Sequence, residues 1–148
     1  MRRVALLDVN ALIAMLWEEH PFHERCWEWY ASAGSAGWAT CPITEAGCVR
    51  LLSNPAFTAN PPSVISALKL LRTATKATPY HRFWEDALPL SVLEDRWRGG
   101  LRHKQITDAY LLALAIHKGG CLVTFDAKMS ALAADGSQER DALVILRA

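Results

Sequence analysis

The sequence predicts an α/β fold, a three-layer sandwich with a central, mainly parallel sheet of about five strands flanked by helices. Short apolar runs alternate along the chain with segments of helical periodicity, which is typical of a parallel sheet. Several of these runs are apolar almost throughout, as expected of strands that are buried on both faces. A length of 148 residues, without a linker or a low-complexity tract, predicts a single domain over residues 1–148.

The first half of the chain is predicted to contain two strands and four helices. The strands are the apolar runs at residues 3–7, which end at Asp8, and at residues 37–42, GWATCP. The helices have apolar residues that recur every three or four positions, and they cover residues 9–16, 21–34, 44–53 and 61–77.

Start and stop signals set the bounds of these helices. Pro21 opens the second helix, and Gly34 stops it. Thr44 is a candidate cap for the third helix, which ends before Asn54 and the proline that follows it. The fourth helix starts with a pair of prolines, residues 61–62, which suit a first helical turn.

The second half is predicted to contain three strands and one long helix. ALPLS, at residues 87–91, is a candidate third strand; CLVTFD and ALVILR, at residues 121–126 and 142–147, are the fourth and fifth. A glycine pair marks a loop before QITDAYLLALAIHKGG, a helix that is apolar nearly all round and that ends at a second glycine pair.

Charge is unevenly distributed, although the formal net charge is only +1. From Asp8 to Glu45 there are six acids and one base, and from Lys69 to Lys104 there are eight Lys and Arg and four acids. This pattern suits a protein that collects cations at one place and binds polyanions nearby, and it equally suits an ordinary mixed surface.

The cysteines, at positions 26, 41, 48 and 121, have no CxxC spacing, which predicts reduced and mostly buried thiols. The sequence contains no unbroken apolar run of about 18 residues, so it predicts no membrane span. We therefore expect a cytoplasmic protein.

Four acidic residues occupy related places in the predicted sheet. Asp8 and Asp126 directly follow apolar strands, Glu45 lies at the head of the helix after the second strand, and Asp108 lies near the start of the helix that precedes the fourth. Right-handed crossovers bring the carboxyl ends of such strands to one edge of the sheet, where ligands bind. The four carboxylates are therefore expected to converge.

Each acid also has a purely structural interpretation. Asp8 and Asp126 are placed to cap the segments that follow them, and Glu45 gains from the helix dipole in a first turn. Asp108 is a first-turn acid if Thr107 caps its helix, and a buried charge without a partner if the helix begins at Gln105. A shared interpretation covers all four, because clustered carboxylates repel unless a divalent cation neutralises them. Carboxylate oxygens without nearby His or Cys favour Mg²⁺ or Mn²⁺ over Zn²⁺.

Four motifs in this order resemble those of PIN-domain ribonucleases, and more closely the VapC-type toxins of bacterial toxin–antitoxin pairs. They are LLDVNALIAM, PITEAGCVRLL, ITDAYLLALAIHKG and LVTFDAKM, and their order, spacing and total length match over nearly the whole chain. TPYHRFWEDALPLS also resembles a segment that one subgroup of these toxins shares. The resemblance implies a PIN-like sandwich and metal-dependent endonucleolytic cleavage of RNA.

Carried over position by position, the resemblance implies that Asp8, Glu45, Asp108 and Asp126 are the metal-binding and catalytic acids. Phosphodiester hydrolysis needs an activated water, charge stabilisation and a stabilised leaving oxygen, and one or two Mg²⁺ ions can supply all three. We expect Asp8 and Asp108 to be direct ligands and the other two acids to complete the cluster. Asn10 and Thr124 fall on positions where a polar side chain orients the acids or their water.

Other groups must hold the RNA. The candidates are basic side chains for phosphate contacts and tryptophans for stacking on an unpaired base: Arg50, Arg82, Arg96, Arg98, Arg102, Lys104, Trp84 and Trp97. Each of them has a simpler interpretation as a solvated surface or core residue. His81 and His103 are weaker candidates.

The resemblance also implies partners. VapC-type toxins form homodimers and bind a small antitoxin whose tail covers the active-site groove, where an arginine could pair with the acids. Six tryptophans, three of them in the first two helices, raise the same question of an interface.

Two other function classes remain open from the residues alone. A haloacid-dehalogenase-like phosphatase also has an Asp after its first strand, but its chemistry requires a second Asp where this chain has Asn10. A non-catalytic module, either receiver-like or a PIN fold retained for binding, is the other alternative, and the complete acid set argues against it. A P-loop nucleotidase is excluded because GxxxxGK[ST] is absent.

Overall fold

The computed structural model describes residues 3–147 and places five short strands in one fully parallel sheet. The strands are β1 (Ala5–Leu7), β2 (Trp38–Thr40), β3 (His81–Phe83), β4 (Cys121–Thr124) and β5 (Leu143–Ile145). Their order across the sheet is β3-β2-β1-β4-β5, so β1 is central and β3 is an edge strand. The predicted α/β fold with about five strands is confirmed, although one of the strands lies elsewhere in the sequence.

Helices connect the strands and cover both faces of the sheet. They are α1 (Val9–Leu16), α2 (His23–Ala33), α3 (Pro42–Leu52), α4 (Val64–Ala77), α5 (Leu93–Arg96), α6 (Ile106–His117) and α7 (Gln138–Asp141). Short 3₁₀ segments lie at Gly34–Ala36, Leu90–Val92, His103–Gln105 and Ala127–Leu132.

Alternation along the central strands divides the core in two. Ala5 and Leu7 of β1 pack in the first core, which contains the buried sides of α1 to α4, whereas Leu6 packs in the second core around α6. Successive side chains of a strand point to opposite faces, so each central strand contributes to both cores. This arrangement is the predicted three-layer sandwich.

The third strand is not where the sequence predicted it. ALPLS contains Pro89, which has no N–H to donate to a ladder, and this segment leads into the 3₁₀ turn at Leu90–Val92. The strand is instead His81–Phe83, whose side chains are partly or fully exposed. An edge strand pairs through its backbone, so no apolar run marked it in the sequence.

Three predicted helix starts also shift. Helix α3 begins at Pro42 with Cys41 as the N-cap, and Thr44 accepts the Cys41 N–H through its hydroxyl at 3.0 Å instead of capping the helix itself. The two prolines precede α4, which Ser63 caps by accepting the Ser66 N–H at 3.0 Å. Helix α2 begins two residues after Pro21 and, as predicted, ends at Gly34.

Helix α6 ends in a Schellman motif at the predicted glycine pair. Gly119 has φ +71°, its N–H donates to Ile116 O at 3.0 Å, and the Gly120 N–H donates to Ala115 O at 2.8 Å. Glycine reaches this left-handed conformation without the steric cost of a side chain. The motif turns the chain directly into β4.

All four cysteine thiols are free and buried, as predicted. Within residues 3–147, no helix is long and apolar enough to cross a membrane.

We predict that Gly120→Ala destabilises the protein. An added Cβ would overlap the backbone oxygen of Val4 and lie 2.8 Å from the Trp84 ring, because β4 starts in close contact with the residue before β1. The expected cost is about 1–3 kcal/mol, measured as a lower melting temperature and urea midpoint. The matched control is Gly99→Ala, where an added Cβ meets nothing within 4 Å. Equal stability of the two variants would contradict a tight junction at Gly120.

Candidate active site

Asp8 is a nearly buried carboxylate at the carboxyl end of the central strand. Its side chain is the N-cap of α1, where Oδ1 accepts the Val9 N–H at 2.8 Å. Oδ2 accepts the Thr124 hydroxyl at 2.8 Å, and only 6% of Asp8 is exposed. Both hydrogen bonds favour the ionised form, but burial has the larger effect and raises the pKa of Asp8.

Thr124 connects Asp8 to Asp126. Its hydroxyl donates to Asp8 and accepts the backbone N–H of Asp126 at 3.0 Å. Asp126 in turn caps the following 3₁₀ segment by accepting the Lys128 N–H at 3.0 Å. The capping interpretation of Asp8 and Asp126 is therefore confirmed, and it does not remove either carboxylate from the site. The orienting role of Thr124 stays a prediction, and its hydrogen bond to Asp8 is the contact such a role requires.

Asp108 completes a group of three acids that we call the aspartate cluster: Asp8, Asp108 and Asp126. Helix α6 begins at Ile106, so Asp108 lies in its first turn. Burial, followed by the charges of Asp8 and Asp126, raises the pKa of Asp108 from its ordinary 3.8 to about 6. Among residues 3–147, no Lys, Arg or His forms a salt bridge with any of the three.

Glu45 is held by a different threonine from the one that binds Asp8. It is in the first turn of α3, and its Oε2 accepts the hydroxyl of Thr40 at 2.6 Å. The charges that raise the pKa values of Asp8 and Asp108 come from aspartates and do not include Glu45. Helix α3 packs largely in the first core, whereas Asp108 lies on α6 in the second. The structure thus brings three of the four predicted acids into electrostatic contact.

The donor chemistry of the cluster fits a divalent cation with hard-oxygen preference. Within the described residues, no three His, Cys, Asp or Glu side chains lie in an arrangement that could hold a metal ion by themselves. Mg²⁺ is commonly held by one or two carboxylates with several waters, so an open arrangement suits it better than it suits Zn²⁺. The raised pKa of Asp108 and the buried Asp8 indicate negative charge that a cation would stabilise.

A cavity of about 730 Å³ opens beside the cluster. Asp108 and Asp126 line one part of it, and Gln105, Met129 and Leu132 also contribute, together with four basic side chains: Arg102, His103, Lys104 and Lys128. This cavity therefore places positive charge next to the acids. A phosphodiester backbone could enter it with its phosphates against the basic wall and one linkage against the acids.

The remaining predicted contacts lie elsewhere. Arg50 is exposed and lines a groove with Glu45 between α3 and α4. Arg82 extends toward Gly37, beside the amino end of β2 and away from the acids. Trp84 is only 7% exposed and packs in the second core, so it presents no face for stacking.

Four further candidates have other surroundings. Arg96 forms a salt bridge with Glu139 at 2.9 Å, and the Trp97 indole N–H donates to the backbone of Leu132. Arg98 is exposed, with Asp95 3.9 Å away. Asn10 is exposed on the first turn of α1 and forms no side-chain hydrogen bond with the described part of the chain.

Two residues near the acids were not predicted from the sequence. Lys128 follows Asp126 by two positions, and its position after a strand end was the available signal. Thr40 ends β2, the strand that precedes Glu45, as Thr124 ends β4. Both threonines are fully buried and donate to an acid. A buried threonine at the carboxyl end of a strand was thus a signal present twice in the sequence.

Comparisons with known proteins point to one family. The family model of the PIN domain matches residues 5–135. Ribonuclease VapC38 of Mycobacterium tuberculosis is 43% identical over 130 residues, which cover 88% of this chain and 90% of that protein. Ribonuclease VapC44 of the same organism is 43% identical over 139 residues, covering 92% and 95%. Neither the phosphatase nor the non-catalytic alternative is supported by these matches.

A solved structure gives the same fold. The crystal structure of Mycobacterium tuberculosis VapC20, described as a toxin that cleaves the sarcin–ricin loop, has a TM-score of 0.60 and 18% identity to this chain. The match covers 87% of this chain and 95% of that one. The sandwich is therefore PIN-like, as the motifs implied.

We predict that Asp108→Asn stabilises the metal-free protein at neutral pH. The folded pKa, about 6, is higher than the unfolded value near 3.8, so the wild type loses stability as pH rises through this interval. The amide does not ionise and avoids that loss. In EDTA at pH 7.5 the gain should be about 1–2 kcal/mol, less than the full pKa difference implies, because the half-exposed side chain is screened by water.

The measurement is the melting temperature in EDTA at pH 7.5 and at pH 4, where the gain should shrink severalfold. Asp135→Asn, an exposed loop acid, is the control and should change neither value. A less stable Asp108→Asn variant at pH 7.5 would mean that the carboxylate has a stabilising partner.

Proposed function

The chain belongs to the PIN-domain family, among the VapC ribonucleases, and we propose that it is a Mg²⁺- or Mn²⁺-dependent endoribonuclease, the toxin of a toxin–antitoxin pair. The observation that carries this proposal is the aspartate cluster. Its three carboxylates are unpaired with any basic side chain of residues 3–147, and they adjoin a cavity with a basic wall.

Each acid has a proposed role. Asp8 and Asp108 hold the ion directly, and Asp126 and Glu45 complete the catalytic set. A bound divalent cation would supply an activated water and stabilise charge on the phosphoryl oxygens. Thr124 keeps the Asp8 carboxylate oriented through its 2.8 Å hydrogen bond, so this ligand needs little rearrangement. Asn10, exposed beside the edge, is available to contact water or substrate.

The basic wall of the cavity is proposed to hold RNA. Arg102, Lys104 and Lys128 present positive charge within the same cavity as Asp108 and Asp126. Arg50 and Arg98 are exposed and could contact phosphates farther along the strand, whereas the placement of Arg82 and Trp84 gives no support for contact in this conformation. RNA as substrate, together with the free thiols, supports a cytoplasmic location.

The proposed partner is a small cognate antitoxin. A groove between α3 and α4 is lined by Val49, Val64 and Leu68, and it reaches Glu45 and Arg50. Val64 is 54% exposed, which is a large apolar area to leave in water. A tail in this groove would extend toward the acids. An arginine on the tail would fit the carboxylates, because its planar fork binds them bidentately.

A homodimer is also proposed. Of the tryptophans in this region, Trp29 is buried, and the partly buried Trp27 donates its indole N–H to the Met15 backbone at 3.1 Å. Support comes instead from apolar side chains that remain exposed near the edge strand. Tyr80 is 57% exposed, Phe83 54% and Leu90 56%.

We predict that the purified chain cleaves RNA when Mg²⁺ or Mn²⁺ is added and does not hydrolyse p-nitrophenyl phosphate. Asp8→Asn and Asp108→Asn should lower the cleavage rate by at least about 100-fold, because each removes a ligand's charge while keeping its shape. Asp135→Asn is the matched control and should retain activity. Circular dichroism checks that the variants fold. Phosphatase activity without RNA cleavage would refute the proposal.

We predict that Arg102→Ala and Lys104→Ala raise KM for RNA and leave kcat nearly unchanged, because they remove phosphate contacts that the substrate and the transition state share. The slope of log KM against log salt should fall by about 0.7 for each residue. Lys76→Ala is the control. Lys76 lies in the last turn of α4, just before the amino end of β3, whereas the acids lie at the carboxyl ends of the strands. Unchanged KM in both test variants would remove the basic wall from the model.

We predict that the chain co-purifies with a small protein encoded beside it and that the complex lacks nuclease activity. Replacing the arginines of the partner's tail by alanine should restore cleavage even where the rest of the partner stays bound. Light scattering on the free chain should give the mass of a homodimer. A complex that cleaves RNA as fast as the free chain would contradict the proposed inhibition.

A further inference from the structure

Two hydrogen bonds connect His81 through Thr40 to Glu45. The Thr40 hydroxyl lies 2.6 Å from Glu45 Oε2 and 2.8 Å from His81 Nε2. Thr40 is fully buried, and His81 is half-buried. The three residues belong to different elements, β2, β3 and α3, so the connection crosses two strands and the helix that follows the first of them.

The direction of both bonds follows from counting protons. The Thr40 hydroxyl has one proton, and it donates this proton to Glu45 Oε2. The hydroxyl oxygen then accepts from His81, whose Nε2 must carry a proton. Burial lowers the pKa of His81, which favours the neutral ring. In that ring the proton lies on Nε2 and not on Nδ1.

The strand register builds this contact. In the parallel pair β2–β3, Trp38 is opposite His81, and Thr40 is two residues beyond Trp38 on the same face. The Trp38 ring packs against the imidazole with centroids 4.6 Å apart. The Trp38 indole N–H donates to Pro79 O at 3.0 Å, just before β3. His81 is thereby held by its neighbour on β2, and its Nε2 faces Thr40.

We propose that His81 is a positioning residue that, through Thr40, fixes the Glu45 carboxylate at the carboxyl edge of the sheet for its part in metal binding. Without the imidazole, the Thr40 hydroxyl can rotate among its staggered positions, and the flexible Glu45 side chain loses a fixed donor. The inference rests on the proposed function, since it assigns a task to Glu45. It adds two residues, Thr40 and His81, to those that position the acids of the site.

The first test needs neither metal nor RNA. Imidazole ¹⁵N and ¹³C spectra of the full-length, metal-free protein should identify His81 as the Nε2–H tautomer. Thr40→Val removes the hydroxyl while nearly keeping the shape, and it should shift the His81 signals. The signals of His117, an exposed residue on α6, should stay unchanged. An Nδ1–H tautomer in the wild type would overturn the proposal.

The second test uses paired variants. His81→Phe and Thr40→Val should each lower kcat by about 10-fold at unchanged KM for RNA, while His81→Gln and Thr40→Ser, which retain the donors, should stay within about twofold of the wild type. The double variant His81→Phe/Thr40→Val should be no worse than Thr40→Val alone, because both changes break one connection. His117→Phe is the matched control. Equal losses in His81→Phe and His81→Gln would overturn the proposal.

A third measurement separates this inference from the nuclease assignment. The rise in melting temperature on adding Mn²⁺ without RNA should be smaller in His81→Phe than in the wild type and should be restored in His81→Gln. A wild type that does not cleave RNA but shows this pattern would refute the nuclease and support the positioning role. A wild type that cleaves RNA, with His81→Phe equal to it in kcat and in Mn²⁺ stabilisation, would refute the positioning role alone.

Discussion

The hydrogen bond from Thr124 to Asp8 ties together the two central strands at the edge where the acids collect. It joins side chains 116 positions apart and solvates a carboxylate that is almost wholly removed from water. A buried charge without such a donor would be strongly destabilising. Because Thr124 also accepts the Asp126 N–H, the same hydroxyl determines where the chain turns after β4. The position of two of the three clustered acids therefore depends on one buried side chain.

A second buried threonine forms a similar hydrogen bond on β2, the strand on the other side of β1. Thr40 ends β2 as Thr124 ends β4, and each threonine donates to a carboxylate near the carboxyl edge. Other acids reach this edge from the helix layers, since Glu45 is on α3 and Asp108 is on α6, in the opposite layer. The aspartate cluster and Glu45 therefore each have a buried threonine as a hydrogen-bond donor.

The central strands and the acids could be predicted because their signals are local. Runs such as ALL and CLVT are buried on both faces, and an acid directly after them lies at the edge in any parallel sheet. The strand His81–Phe83 could not be found in this way, because an edge strand exposes its side chains and is held by backbone pairing. The same reason hid the link from His81 to Glu45, which exists only through the register of β2 and β3.

The fully parallel sheet has a consequence for when the aspartate cluster can assemble as the chain is synthesised. Ala5 pairs with Trp38 on one side and with Cys121 on the other, so one of the two neighbours of β1 is synthesised long after it. Asp8 emerges early, but its donor at Thr124 and its neighbours at Asp108 and Asp126 all emerge late. Parallel neighbours distant in sequence also pair slowly, because a long loop must close first. A nascent or truncated chain that lacks β4 therefore has no Thr124 to donate to Asp8, and its aspartate cluster is not assembled.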